Sequence, residues 1–308
     1  MTLEHARMRM VSKPWGRKNL APWSATPSAD ETIGEIWFER GRETDQTPSL
    51  LLKLLFTTEP LSIQVHPNDT MAQAMGLPNG KTEAWYVLDA EPDAKVALGL
   101  KHSASSSQLR TAIEDRSIAG MMRWQRVKKD NFVFVPAGTI HAIGPGLVLA
   151  EIQQRSDTTF RLFDYERSRG LQVEEAIGAA HPGQSQPQAI PRSLTKARML
   201  FVANPYFVLE RVILKPHSVW RLKANQETWL LSIAGDAVVD DLDLEVGRAM
   251  YLDDARAEIA VGPEGLTALV AYSASEVSSD LLTEVSELIG PSLAARTLAA
   301  ASHQVIRS

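Results

Sequence analysis

Between residues 61 and 66 the chain reads Leu61-Ser62-Ile63-Gln64-Val65-His66, and this alternation constrains the fold more than any other feature. A strand sends successive side chains to opposite faces, so Ser62, Gln64 and His66 share one face while Leu61, Ile63 and Val65 share the other. Three polar groups in a row on a strand flanked by apolar strands need partners, because burying them unpaired is costly. Glu83 follows shortly after, and His141 ends the run Pro136-Ala137-Gly138-Thr139-Ile140-His141. Two imidazoles, a carboxylate and an amide oxygen form a candidate donor set for a divalent metal. The chain has no cysteine, so thiolate ligands and disulfides are excluded and the donors must be His, carboxylate or amide.

The surrounding sequence is rich in strand signals. Runs at 50–56, 61–66, 83–88, 95–100, 132–135, 141–143, 147–153 and 158–164 are separated by Asn-Asp, Pro-Asn-Gly and Gly-Pro-Gly turns. Short strands at regular spacing predict a β-sandwich or barrel. Residues before about Leu50, rich in Pro, Trp and Gly, read as irregular. A second series at 206–214, 219–224, 227–234, 237–239, 249–252, 258–261 and 266–272 reads as a smaller copy of the first. One interruption is helical: Ser105-Ser106-Ser107 offers N-caps, and Leu109, Ile113, Ile118, Met121 and Met122 recur at roughly helical spacing. The expected organisation is a metal-binding β domain over residues 1–180 with a helical insert at about 105–123. A linker at 181–192, a second β domain at 193–275 and a helical tail at 276–308 follow. The tail would bury Leu281, Leu282, Val285, Leu288 and Ile289, with Gly290-Pro291 breaking it.

Composition narrows the partners. The 308 residues carry a formal charge of −5 with no basic stripe, which argues against nucleic acid. No apolar run approaches the roughly 20 residues of a membrane helix, and residues 1–11 lack a signal-peptide apolar region. A cytoplasmic protein is expected, and the length requires nothing beyond a monomer or weak homo-oligomer.

His5, His102, His181, His217 and His303 read as ordinary surface or core histidines. In the second series no Pro-x-Gly-x-x-His turn occurs; the matching region reads Leu252-Asp253-Asp254-Ala255. A single centre, in the first series, is expected.

The combination of Gln64-x-His66, Glu83 and Pro136-x-Gly138-x-x-His141 resembles the two-part signature of cupins, double-stranded β-helices with a metal inside the barrel. Pro136 ends a strand and Gly138 permits the sharp turn that aims His141 inward. Lys13-Pro14-Trp15-Gly16, Gly34-Glu35-Ile36-Trp37, Gln64-Val65-His66-Pro67-Asn68-Asp69, Lys81-Thr82-Glu83 and the run from Glu151 to Arg161 narrow this further. With them the chain resembles the type I mannose-6-phosphate isomerases, in their short bacterial form with one metal-bearing cupin and one degenerate cupin. The resemblance extends from about Lys13 to Tyr272. It implies that Gln64, His66, Glu83 and His141 hold one divalent metal, usually zinc, and that Lys81 and Arg161 line a sugar-phosphate site. Two positions depart from the family: Gly80 replaces a histidine of longer members, and Arg17 stands where many have a second glycine.

The chemistry implied is aldose–ketose isomerisation of mannose 6-phosphate and fructose 6-phosphate through a cis-enediol. A base must reach the C1 and C2 protons, and Glu151 is the first candidate. Its structural alternative is orienting a metal-bound histidine. Lys81 can polarise a substrate oxygen, and Arg161 presents a planar charged fork. Lys53, placed in an apolar strand, Ser62 and Asp157 are the substrate- and phosphate-binding candidates; an Asp157–Arg161 ion pair is the structural alternative for Asp157. Rival readings are a cupin isomerase of a related sugar phosphate and a non-catalytic sugar-phosphate-binding cupin.

Overall fold

The computed structural model describes residues 1–25, 31–42, 47–165, 167, 169–181 and 188–285. It is mainly β, as expected, and its strands form two successive barrels.

The first barrel has two antiparallel sheets. One orders its strands Phe160–Phe163, Ile63–Val65, His141–Ile143, Lys95–Leu100 and Met122–Arg126. The other runs Arg7–Arg17, Ile33–Glu39, Leu50–Thr57, Leu147–Gln154, Glu83–Ala90 and Phe132–Val135. Leu55, Trp85, Val87, Val96, Leu98, Val133, Ile143 and Leu149 fill the space between their inner faces. The alternation around Gln64 is realised: Ile63 and Val65 point outward into a separate cluster with Leu109, Ile113, Ile118 and Ala176. The polar face therefore points into the barrel.

That outer cluster settles the place of the helical insert. It forms two helices, Ser106–Glu114 and Ile118–Met121, packed with Val173–Ala179 on the back of the five-stranded sheet. Ser105 caps the first helix reciprocally with Gln108. Residues 122 and 123 belong to the strand Met122–Arg126, so the insert is shorter than its apolar spacing suggested.

The second barrel is built on a sheet ordered Thr2–His5, Ala249–Asp253, Thr228–Val239, Ala255–Tyr272, Val208–Leu214, Arg198–Ala203 and Arg192–Ser193, with Val219–Ala224 and Leu282–Glu284 added alongside. Two expected breaks are bulges within continuous strands. Gly235 and Gly265, both at positive φ, let Thr228–Val239 and Ala255–Tyr272 bend while staying paired.

Three regions differ from the sequence reading. Among the described residues before Leu50, Arg7–Arg17 and Ile33–Glu39 are strands: Arg7-Met8-Arg9-Met10 alternates, with Met8 and Met10 packed on the core and both arginines on Glu39. Thr2–His5 hydrogen-bonds to Ala249–Asp253 in the second sheet. The expected tail helix contains instead the strand Leu282–Glu284, paired with Trp220–Leu222; residues 286–308 lie outside the described residues.

The two barrels share one core. Leu52, Leu54, Phe56, Tyr86 and Ile152 pack directly with Phe201, Phe207, Leu209, Trp229 and Tyr251. The strand Leu50–Thr57 is thus buried on both faces, with Lys53 and Leu55 pointing into the first barrel.

Candidate metal centre and pocket

The register of the strands brings the predicted donors together. His141 lies opposite Gln64 across one ladder, and Gln64 lies opposite Arg161 on its other side. The Gly138 turn, at φ +84°, donates its N–H to His66 O at 2.9 Å and so ties the two histidine segments. Glu83 comes from the facing sheet, where it lies opposite Gln153.

His66, Glu83 and His141 are buried and each brings a ligand atom to within 4.8 Å of the others. Both imidazoles are oriented by backbone: Nδ1–H of His66 donates to Thr158 O and that of His141 to Thr139 O, each at 2.8 Å. This tautomer leaves both Nε2 lone pairs aimed at the centre. They lie 3.5 Å (His66) and 3.3 Å (His141) from Glu83 oxygens. Glu83 Oε1 has no hydrogen-bond donor although buried. The Gln64 amide is 3.2 Å from His141 Nε2, and its oxygen accepts from Ser62 at 3.0 Å. Burial, then the Lys81 charge, lowers the His66 pKa to about 3; burial also lowers that of His141. Burial disfavours the Glu83 charge, but Lys81 and the imidazoles outweigh it and hold the carboxyl well below the usual range. Two neutral imidazoles and an ionised carboxylate with an orphaned oxygen fit a divalent metal, and the Gln64 amide lies beside them with its nitrogen toward His141 and its oxygen on Ser62. Among the described residues no second such group occurs.

Lys81 occupies part of the same space. Its ammonium donates to Glu83 Oε2 at 2.6 Å and lies 3.0 Å from His66 Nε2. A cation is thus already held on two atoms of the donor set.

Beyond the donors lies a pocket whose walls include Ser62, Gln64, Lys81, Glu151, Asp157 and Arg161. Glu151 faces Lys53 on one side and Trp85 on the other across paired strands. Trp85 Nε1–H donates to its Oε2 at 3.1 Å, and Lys53 Nζ lies 3.5 Å from Oε1. Neither imidazole is oriented by Glu151. Burial, then repulsion from Glu83, raises its pKa. Arg161 makes no ion pair with Asp157 among the described residues, and its buried Nε has no partner. Asp157 is instead 3.9 Å from Lys53, with most of its side chain exposed. As an anion it suits sugar hydroxyls rather than a phosphate.

Among the pocket residues that went unread as site residues in the sequence are Lys13, Trp15, Glu35 and Arg169. Asp164 holds Arg169 through two 2.6 Å hydrogen bonds, and the Arg169 charge helps burial lower the Arg161 pKa. Two guanidinium groups therefore face the same space. Gly80 has a steric reason: a Cβ there would lie 2.5 Å from Pro67 O and Asn68 C. Arg17 reaches Glu91 at 3.7 Å.

No family model matches the chain. It is 42% identical over 143 residues to mannose-6-phosphate isomerase ManA of Bacillus subtilis (strain 168), covering 44% of each chain. It is 35% identical over 190 residues to the mannose-6-phosphate isomerase of Streptococcus mutans, covering 58% of this chain and 59% of that one. The crystal structure of the mannose 6-phosphate isomerase from Bacillus subtilis superposes with a TM-score of 0.76 at 26% identity, covering 88% of this chain and all of that one. In sequence and in fold the chain is similar to these mannose-6-phosphate isomerases. In sequence it spans about half the length of the curated relatives it matches. A phosphomannose isomerase mutant from Salmonella typhimurium, at 14% identity and a TM-score of 0.69, shares the fold. No helix among the described residues is long and apolar enough to cross a membrane.

Proposed function

We propose that this chain interconverts mannose 6-phosphate and fructose 6-phosphate by proton transfer between C1 and C2 through a cis-enediol. One observation carries the reading. Glu151, a carboxylate whose pKa burial raises, shares a pocket with Gln64 and Lys81 of the candidate metal centre and with the cation Arg161. A binding protein needs an anion site but has no use for a base at the reacting carbons.

His66, Glu83, His141 and Gln64 would hold one divalent ion, zinc being a good match to paired imidazoles with a carboxylate. When bound, the ion supplies positive charge near the substrate oxygens, where enediolate charge develops. Glu151 takes the carbon-bound proton and returns it to the neighbouring carbon, on one face of the intermediate. Lys81 polarises or protonates a substrate oxygen. Arg161 presents a charged fork to an oxyanion or the phosphate, with Lys53 and Ser62 as further phosphate contacts and Asp157 toward the sugar hydroxyls. All these groups come from the first barrel of one chain, which supports action as a monomer or weak homo-oligomer. A phosphorylated sugar as substrate suits the cytoplasm.

The test is an assay coupled to fructose 6-phosphate formation, with and without chelator, on the wild type and on Glu151→Gln. Metal-restored turnover, lost in the variant while substrate still binds, supports the reading. No turnover by the metal-loaded wild type refutes it, and equal turnover after metal removal refutes the role of the metal.

A further inference from the structure

The six-stranded sheet of the first barrel carries an ordered row of charges on and beside its inner face. In spatial order its strands present Lys13, Glu35, Lys53, Glu151 and Glu83, one residue from each of five neighbouring strands. Lys13 Nζ is 3.4 Å from Glu35, Glu35 is 3.9 Å from Lys53, and Lys53 is 3.5 Å from Glu151. Lys81 then lies 2.6 Å from Glu83 at the metal centre. The sign alternates from the pocket wall to Glu151, and Lys81 separates Glu151 from Glu83 in charge.

Lys53 is the interior link. It is almost fully buried, yet its three carboxylate neighbours, Glu35, Glu151 and Asp157, all stand 3.5–3.9 Å away. These are electrostatic contacts without close hydrogen bonds. The ammonium also lies 4.4 Å over the Trp37 ring, a cation–π contact that helps fix it. Glu35 acts on this arrangement twice. Its Oε2 accepts the Trp37 Nε1–H at 2.5 Å, which orients the ring, and its charge attracts the ammonium directly. A buried ion cluster of this kind is weak as a stability device, because apolar residues of similar volume often serve as well. Its order along the strands toward Glu151 points to a role in the reaction.

We propose that Glu35 is a positioning residue for the reaction base: directly and through Trp37 it places Lys53 against Glu151, so that its charge is felt at Glu151 through Lys53. This rests on the isomerase reading with Glu151 as base. The charged groups that face Glu151 are Lys53 from Leu50–Thr57, Glu83 from the strand on its other side, Lys81 just before that strand, and Glu35 beyond Lys53. Glu35 and Glu83 act to raise its pKa, while Lys53 and Lys81 act to lower it.

The test is the pH profile of kcat/KM for wild type, Glu35→Gln and Lys53→Met, with Glu35→Asp as the conservative variant and a thermal melt as the folding control. Glu35→Gln removes a negative charge and leaves Lys53 shared only between Glu151 and the exposed Asp157, so the acidic limb moves down by about half a unit or more. Lys53→Met removes the cation and moves the limb up. In Glu35→Gln, kcat falls by up to about 100-fold with KM little changed, and Glu35→Asp recovers part of it. Opposite limb shifts in the two variants are the expected result, because a purely structural defect gives no such opposition. An unmoved limb in a folded Glu35→Gln, or shifts of the same sign, overturns the proposal and leaves the isomerase reading standing. Should Glu35→Gln fail to fold, an unmoved limb in Glu35→Asp together with an unmoved limb in Lys53→Met overturns it equally. A wild type without turnover overturns both.

Discussion

Nε2 of His141 stands 3.3 Å from Oε1 of Glu83, an oxygen with no hydrogen-bond donor inside a fully buried carboxylate. Buried carboxylate oxygens are ordinarily satisfied, because leaving one orphaned costs about 1–3 kcal/mol. The orphan faces the His141 imidazole, the His66 imidazole lies against the other oxygen, and the Nδ1 atoms of both are tied to backbone carbonyls. The arrangement makes chemical sense as the inner surface of a cation site.

Replacing Glu83 by Ala should therefore abolish stoichiometric metal binding. Loss of a residue that merely supports a ligand costs about 10–100-fold in affinity, and loss of the anionic ligand itself should cost at least the upper end. The measurement is metal content after gel filtration, together with titration of the stripped protein. A Glu83→Ala protein that retains one tightly held ion per chain would refute the donor assignment.

Lys81 should behave in the opposite sense. Its ammonium lies on Glu83 Oε2 and His66 Nε2, so it competes with a metal for two of the same atoms. In Lys81→Met the metal dissociation constant should fall, while kcat declines by about 100-fold or more because a substrate oxygen loses its proton donor. Metal titration and steady-state kinetics on the same preparation separate the two effects. Weaker metal binding in the variant would show that the ammonium supports the centre rather than competing for it.

The convergence of Gln64, His66 and His141 was legible because two kinds of signal coincide there. The period-two run at Gln64 and His66 fixes their face, and the Pro136–Gly138 turn fixes the direction of His141. Both are local, and the ladders that join them preserve what each predicts. Glu35 and Lys13 were not legible as site residues, because their meaning depends on which strands become neighbours. Glu35 meets Lys53 only when Ile33–Glu39 pairs with Leu50–Thr57, and no spacing in the sequence encodes that pairing. The first strands were hidden for another reason: Pro14 and Gly16 dominate their composition, whereas the Arg–Met alternation just before them carries the structure. The tail misled because Leu281, Leu282 and Val285 also fit a helix. A free edge on Val219–Ala224 recruits Leu282–Glu284 as a strand, so tertiary pairing overrides local spacing.

The two imidazoles also predict how the metal-free protein responds to acid. Burial lowers the pKa of both, that of His66 to about 3 against an ordinary 6.5. With folded values below unfolded ones, the unfolded chain binds more protons in the interval between them. The stabilisation is complete above about pH 6.5 and is lost progressively as pH falls toward the folded value. The midpoint of urea unfolding of chelated protein should therefore drop steadily between about pH 6.5 and 4. In His66→Gln this dependence should be shallower. An equal slope in wild type and variant would assign the acid sensitivity to other groups.

Glu227 links the second barrel to the strand that carries Lys53. Its carboxylate accepts the backbone N–H of Ser49 at 2.6 Å and of Leu50 at 2.9 Å, the Ser49 hydroxyl at 2.6 Å and Trp229 Nε1–H at 2.9 Å. Ser49 O in turn accepts Arg155 N–H, just past the strand that carries Glu151. One carboxylate of the second barrel therefore secures the neighbouring ends of the two strands that place Lys53 and Glu151. Glu227→Ala leaves several donors unpaired at a largely buried junction and should destabilise the protein by about 3 kcal/mol. The donor set for the metal comes from other strands, so metal affinity should stay within about threefold of wild type while kcat declines, since small misplacements of catalytic groups are costly. Urea unfolding, metal titration and steady-state kinetics on the one variant resolve the three quantities. Unchanged stability would mean that the shared apolar core alone fixes the two barrels, and a parallel loss of metal affinity would mean that the junction supports the whole first barrel rather than these two strands.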